Sequence, residues 1–262
     1  AILLLPLAAF VPQLLLWKRL PRQGDWLPTS AIALALSCAL TLLVHMLACA
    51  DPGLRVTAQA DWIRLAGGPT LRMGLVVDNM AILMMVVVTL VSFLVHLFSI
   101  GYMHGDPRYG RYFVFIVAAA LLFAAGYFAF LGLFSFSMLG IVLSDNLLAL
   151  YVFWELVGVA SYLLIGFWFE KDSAANASKK AFLTNRIGDA GMLVGIAILV
   201  LNTGTFNLHD LFAAVREGGA WAAPDHGFLG VSWLTWAGIG LFCGAIGKSA
   251  QFPLHVWLPA AM

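Results

Sequence analysis

Two residues in this sequence sit where charge is costly. Glu155 lies in Leu150-Tyr-Val-Phe-Trp-Glu-Leu-Val-Gly-Val-Ala, and Lys248 in Gly244-Ala-Ile-Gly-Lys-Ser-Ala-Gln-Phe-Pro-Leu-His, both inside long apolar stretches. If those stretches cross a membrane, a charge at the bilayer centre costs about 3 kcal/mol on insertion scales. A carboxyl held there must be neutral, paired or hydrated, and its proton occupancy switches when a partner moves. A buried lysine can likewise exist without its proton and so carry one. The chemistry these types offer together is proton transfer. The plainer alternatives are a carboxylate that locks helices by a hydrogen bond and a lysine that snorkels to the interface.

Further ionisable residues stand near them. Arg186 precedes Asp189 by three positions, so both share a helix face and a local ion pair is expected. Asp189 is also a candidate for the inside mouth of a proton channel. His255 follows Lys248 by seven residues, about two helical turns in an unbroken helix, and could pass protons onward. His45 and His96 have no charged partner nearby in sequence, and Lys180 reads as an interfacial anchor. Asp145-Asn146 is expected to cap the helix that follows. Cys38, Cys49 and Cys243 are far apart without metal-ligand spacing, so no metal site is expected. No nucleotide loop, nucleophile elbow, haem motif or iron–sulfur spacing is present, and any redox chemistry belongs elsewhere.

The elements that must hold these residues follow from composition. Of 262 residues, 62% are hydrophobic and 10% charged, against about 45–50% and about 25% in soluble domains. Such a surplus needs lipid as solvent. The net charge of +1 leaves no basic face for nucleic acid. A crossing takes about 20 apolar residues, and candidate spans are 1–17, 29–50, 79–101, 112–143, 147–169, 181–201 and 233–258. The fold class is therefore an all-α polytopic bundle of about seven transmembrane helices. Pro253 and Gly247 beside Lys248 predict a break in the last one, a feature tolerated at membrane depth where it lines a hydrated cavity.

Loop charges set the orientation. Lys18, Arg19 and Arg22, then Arg108 and Arg111, then Lys171, Lys179 and Lys180 mark inside loops. Loops 51–78 and 202–232 read as outside, which puts the N-terminus outside. The stretch 112–143 is long for one crossing and is read as a single tilted span, bent near Gly126 or Gly132. Its alternative is a half-inserted hairpin. In loop 51–78, Asp61-Trp-Ile-Arg-Leu and Leu71-Arg-Met-Gly-Leu-Val-Val flank Gly67-Gly68-Pro69 and predict an extramembrane β-hairpin. A short surface helix capped by Asn207 is expected near 207–217. The sequence opens at Ala1 in an apolar run without a charged n-region, so no signal peptide is expected and a fragment is.

The motifs Asp145-Asn-Leu-Leu, Trp154-Glu-Leu-Val-Gly, Ser161-Tyr-Leu-Leu-Ile-Gly-Phe, Ala174-Ala-Asn-Ala-Ser-Lys-Lys-Ala-Phe, Asn185-Arg-Ile-Gly-Asp and Gly247-Lys-Ser-Ala-Gln-Phe-Pro-Leu-His-Val-Trp-Leu-Pro occur in this order. They resemble the antiporter-like membrane subunits of respiratory complex I (NADH:quinone oxidoreductase), in particular subunit L or chain 5, from about residue 79 onward. The resemblance implies a two-helix segment over 1–78 and a proton-channel bundle over 79–262, truncated before the family's second inverted repeat and lateral helix. It implies that Glu155 and Lys248 form the coupled pair that drives proton uptake and release, with Asp189 and Arg186 near the cytoplasmic input. It implies a non-redox subunit of a proton-pumping translocase in a bacterial inner (plasma) membrane, with a periplasmic N-terminus. Partners would be other complex I membrane subunits and the lipid bilayer; FMN, iron–sulfur clusters and quinone would sit in other subunits. A subunit of multisubunit sodium/proton antiporters, which shares the glutamate and lysine motifs, is the alternative. Two departures stand out: Ala260 replaces the family's acidic residue, and the region around Phe113 to Tyr127 is longer than usual.

Overall fold

The computed structural model describes residues 2–16, 25–49, 55–64, 70–102, 126–223 and 227–262. Long apolar runs become helices: α1 (Leu4–Leu16), α2 (Trp26–Cys49), α3 (Asn79–Tyr102), α4 (Gly126–Leu143), α5 (Leu147–Ile165), α6 (Asp172–Thr203), α7 (Leu208–Glu217), α8 (Trp233–Lys248) and α9 (Leu258–Ala261). Among them α2, α3, α5 and α6 are long and apolar enough to cross a membrane by themselves, while α1 and α4 are apolar but shorter. The chain is thus a multi-pass helical membrane protein. Buried hydroxyls in these helices are satisfied within the helix itself: Thr89 donates to the Met85 carbonyl at 2.7 Å and Ser137 to Leu133 at 2.6 Å. His96 is held in the same way, its Nδ1 lying 2.7 Å from the Ser92 carbonyl.

The predicted hairpin is present as β1 (Arg55–Arg64) paired with β2 (Thr70–Asp78). Its expected Gly-Gly-Pro turn lies outside the described residues, as do loop 102–111 from residue 103 and the 112–125 part of the long fourth span. From Gly126 onward α4 runs unbroken through Gly132.

Contacts group the chain into two units. The first contains α1 to α4 and the end of α5, with a core that includes Ile2, Ala39, Ile82, Met85, Leu139 and Leu143. The second contains the first part of α5, most of the hairpin and everything from Trp168 to Met262; its core includes Leu147, Met192, Ile196, Leu199 and Ala237. The candidate residues all belong to the second unit.

Two expectations change here. Residues 172–180 are helical rather than a loop, because Ala174-Ala-Asn-Ala-Ser-Lys-Lys-Ala is rich in good helix formers and Asp172 suits the first turn. α6 therefore has 32 residues, about 48 Å, and Asp189 stands at its midpoint rather than near its start. A small pair of strands not anticipated from the sequence, β3 (Gly227–Phe228) and β4 (Val231–Ser232), turns through Leu229 and Gly230 at φ 55° and 73°. Two positive φ values match the tight turn that suits a hairpin's twist. Ser232 then caps α8 by accepting from the Thr235 N–H at 3.2 Å.

The expected caps are found. Asn207 Oδ1 accepts from the His209 and Asp210 N–H groups at 2.9 and 3.4 Å and starts α7. Asn146 Oδ1 accepts from the Leu148 N–H at 2.7 Å and starts α5. Asp145 does different work. Its Oδ2 accepts from Gln59 Nε2 at 2.8 Å and Asn207 Nδ2 at 3.4 Å, joining the hairpin, the α4–α5 link and the start of α7.

Candidate functional site

α6 and α8 lie unusually close because glycines face glycines. A Cβ on Gly195 would fall 2.7 Å from the Ala237 carbonyl oxygen and from the Leu241 nitrogen; one on Gly240 would fall 2.7 Å from Gly195 Cα. Small residues let transmembrane backbones approach in this way. Gly188 continues the contact against Cys243 and Gly247. It ends at Lys248, the last residue of α8, beside the middle of α6.

The helix break lies where Gly247 and Pro253 place it. α8 closes with the Ser249 N–H donating to the Ala245 carbonyl at 2.9 Å, and Ala250 takes φ 49°. A 3-10 turn (Leu254–Trp257) and the short α9 follow. Trp257 Nε1 donates to the Gly247 carbonyl at 3.0 Å and ties the downstream segment back to the last turn of α8. Lys248 thus sits at a helix C-terminus, where unsatisfied carbonyls carry partial negative charge that favours a cation.

α5 supplies two neighbouring side chains. The Glu155 carboxylate forms an ion pair with the Arg186 guanidinium of α6, the two side chains being 18% and 38% exposed. Arg186 also stacks over the Phe182 ring one turn earlier, 4.5 Å from its centroid. Trp154 Nε1 donates to Asp189 Oδ1 at 2.7 Å, and Asp189 is only 2% exposed. The Lys248 ammonium lies 5.9 Å from the centroid of the same indole. That ammonium is buried with no hydrogen-bond partner among the described residues, and it is within electrostatic range of Asp189 and Arg186. It also fills the space beside Gly158, where a Cβ would come within 2.7 Å of Nζ.

Four of the five sequence-selected residues therefore converge, with partners other than those expected. Arg186 reaches across to Glu155 instead of pairing with Asp189 on its own helix. Asp189 is held by an indole N–H. Glu155 makes its ion pair with Arg186, and Lys248 stands over Trp154. His255 is placed apart, exposed in the 3-10 turn with its ring stacked 5.9 Å from Phe252. Sequence reasoning passed over Trp154 and Gly158. Neither carries a local signal, because an apolar ring and a glycine are ordinary residues in a membrane helix.

In chemical terms the site is a run of four ionisable groups on three helices: carboxylate, guanidinium, buried carboxylate, buried ammonium. One indole bonds to the third group and lies near the fourth. Opposite charges are near one another, and one pair, Glu155–Arg186, is in direct contact. Among the described residues no group of three or more His, Cys, Asp or Glu side chains could hold a metal ion.

Comparison with known proteins agrees with this reading of the fold. Residues 144–262 match the family model described as "NADH:quinone oxidoreductase/Mrp antiporter, TM". Residues 62–113 match "NADH-Ubiquinone oxidoreductase (complex I), chain 5 N-terminus", so the likeness begins earlier than the motifs suggested. Among similar proteins, NAD(P)H-quinone oxidoreductase subunit 5 of Anthoceros angustus chloroplasts is 42% identical over 87% of this chain and 29% of its own length. NAD(P)H-quinone oxidoreductase chain 5 of Synechocystis sp. is 45% identical over 75% of this chain and 26% of its own. The chain thus spans under a third of the curated relatives it matches. Two solved structures share the fold over 99% of this chain. A chain of an archaeal membrane-bound sulfane sulfur reductase does so with TM-score 0.73, 22% identity and 46% of that chain covered. A chain of the Mrp complex from Dietzia sp. does so with TM-score 0.71, 24% identity and 24% covered. The chain belongs to the family of antiporter-like membrane subunits found in complex I, the NADH:quinone oxidoreductase.

Proposed function

We propose that this chain is a proton-translocating membrane subunit of NADH:quinone oxidoreductase, in which charged side chains on three helices couple redox energy released in partner subunits to proton movement. The observation that carries it is the convergence of Glu155, Arg186, Asp189 and Lys248 in an otherwise apolar bundle. Charges in membrane helices mark ion or proton pathways because their cost must be met by function or pairing. In this reading Glu155 and Lys248 act as a coupled pair through intermediaries. When Arg186 leaves Glu155, the carboxylate is left uncompensated and takes a proton; when Lys248 draws nearer the indole-held Asp189 it holds its proton, and it releases the proton as the distance grows. The energy scale is suitable: moving one charge through 100 mV takes about 2.3 kcal/mol, and breaking a buried pair by losing one partner costs about 3–5 kcal/mol.

The rest of the proposal follows from that role. Residues 1–78 form a two-helix segment preceding the proton-channel bundle of 79–262, with Asp189 and Arg186 on the cytoplasmic input side and His255 a relay beyond the break. The chain lies in a bacterial inner membrane with its N-terminus periplasmic and packs against other membrane subunits. FMN, iron–sulfur clusters and quinone belong to the partners. Replacing Lys248 with Ala in the assembled enzyme is expected to lower proton pumping per electron by more than about tenfold, over 1.4 kcal/mol of barrier, while the complex still assembles. Normal pumping by an assembled Lys248→Ala enzyme would sink the proposal. A second reading, a subunit of a sodium/proton antiporter, is favoured by the shared family model and the Mrp-like fold. Purification decides between them: flavin and iron–sulfur subunits accompany the chain in the first, small membrane subunits alone in the second.

A further inference from the structure

Resting on that functional reading, the geometry points to Trp154 as a positioning residue that keeps Asp189 and Lys248 from closing into a direct ion pair. The indole is shared between the two charges. Its N–H donates to Asp189 Oδ1 at 2.7 Å, and its ring lies 5.9 Å from Lys248 Nζ, inside the range at which a cation is attracted to an aromatic face. Each charge is thereby held by a neutral group. The remaining charged groups of the cluster, Glu155 and Arg186, are engaged with one another. Asp189 is almost wholly buried and Lys248 Nζ has no hydrogen-bond partner among the described residues. Two opposite charges within electrostatic range in so buried a place would otherwise close on each other.

A closed pair is a poor relay. Buried opposite charges in contact are hard to separate, since parting them leaves each uncompensated. The indole N–H gives the carboxylate a partner that holds no charge and can be released at lower cost. Gly158, one turn on from Trp154, leaves room for the ammonium to rest on the ring. Trp154 is adjacent to Glu155 in the chain, so any movement of α5 that alters the Glu155–Arg186 pair also moves the indole. The two halves of the cluster are coupled through this one turn of helix.

The test separates the N–H from the ring. In the assembled complex, Trp154 is replaced by Phe, and in parallel by 3-benzothienylalanine, which keeps the size and face of indole but has no N–H. The benzothienyl enzyme is expected to accumulate and assemble normally and to pump protons more than about tenfold less well. The infrared carboxyl band of Asp189, identified by its loss in Asp189→Asn, should shift in both variants. A residue that merely fills space would leave pumping and the Asp189 band unchanged in the benzothienyl enzyme, and that result overturns the inference. Failure of the underlying reading looks different: Lys248→Ala would then pump normally as well. If Lys248→Ala abolishes pumping while the benzothienyl enzyme pumps normally, the inference about Trp154 alone is lost.

Discussion

The two halves of the charge cluster solve one physical problem in different ways. At Glu155–Arg186, a carboxylate and a guanidinium meet directly, and the guanidinium remains 38% exposed. At Asp189–Trp154–Lys248, an almost fully buried carboxylate and a buried ammonium share an indole and do not meet. Both halves use α5 and α6, consecutive residues of α5 meeting residues of α6 that are three apart, and the second half adds Lys248 of α8. The more exposed half uses a direct ion pair. The buried half cannot open such a pair cheaply, and a neutral intermediary takes its place. The two halves differ in burial, and they differ in the kind of partner each charge receives.

The frame that creates this difference is the close contact of α6 with α8, and breaking it should have the largest effect. Gly195→Leu would push a side chain into the backbone of α8, since even a Cβ lies 2.7 Å from the Ala237 oxygen and the Leu241 nitrogen. Overpacking a well-packed core costs about 1–3 kcal/mol where neighbours can adjust, and backbone adjusts less. We expect the chain to be nearly absent from membranes by immunoblot. Normal accumulation would show that the glycine contact does not set the position of Lys248.

Next in size is the direct ion pair. Glu155→Gln and Arg186→Gln should each slow proton flux in membrane vesicles, and the double variant should be no slower than the worse single. The departure from multiplied effects should be about tenfold, or about 1.4 kcal/mol, within the usual range for groups in contact. If the two effects simply multiply, the groups act independently and the comparison between the halves loses its first member.

How far all this could be read from the sequence depends on range. Glu155, Lys248, Asp189 and Arg186 stood out because a charge in an apolar run is conspicuous without any knowledge of neighbours. The helix break near Lys248, the Asn207 cap and the hairpin were also legible, since Pro, Asn and Gly act on local backbone. Partner choice was not. The short spacing of Arg186 and Asp189 favoured a pair on one helix, whereas each side chain turns to α5. That outcome depends on how close α5 and α6 approach, which no local pattern states. The start of α6 at Asp172 was missed because hydropathy marks the apolar part of a helix and not its polar extension. Trp154 was hidden by its own apolarity: in a chain with 13% aromatic residues, one indole carries no signal until its N–H is seen to face Asp189.

The finest test of the comparison is the smallest change, a single methyl group. Gly158→Ala places a Cβ 2.7 Å from the Lys248 nitrogen. The obstacle is the tip of a flexible side chain, so the chain should fold and accumulate as before. In a helix interior Ala is even favoured over Gly by about 1 kcal/mol. What changes is the resting place of the ammonium, which must slide off its position over Trp154 while keeping its charge. Proton flux should fall by about twofold to fivefold, corresponding to about 0.4–1 kcal/mol, with no change in the coupling between Glu155 and Arg186. Equal loss of that coupling would mean that the methyl group disturbs α5 as a whole. Unaltered flux would mean that Lys248 works equally well away from the ring, and the buried half of the cluster would then need no intermediary.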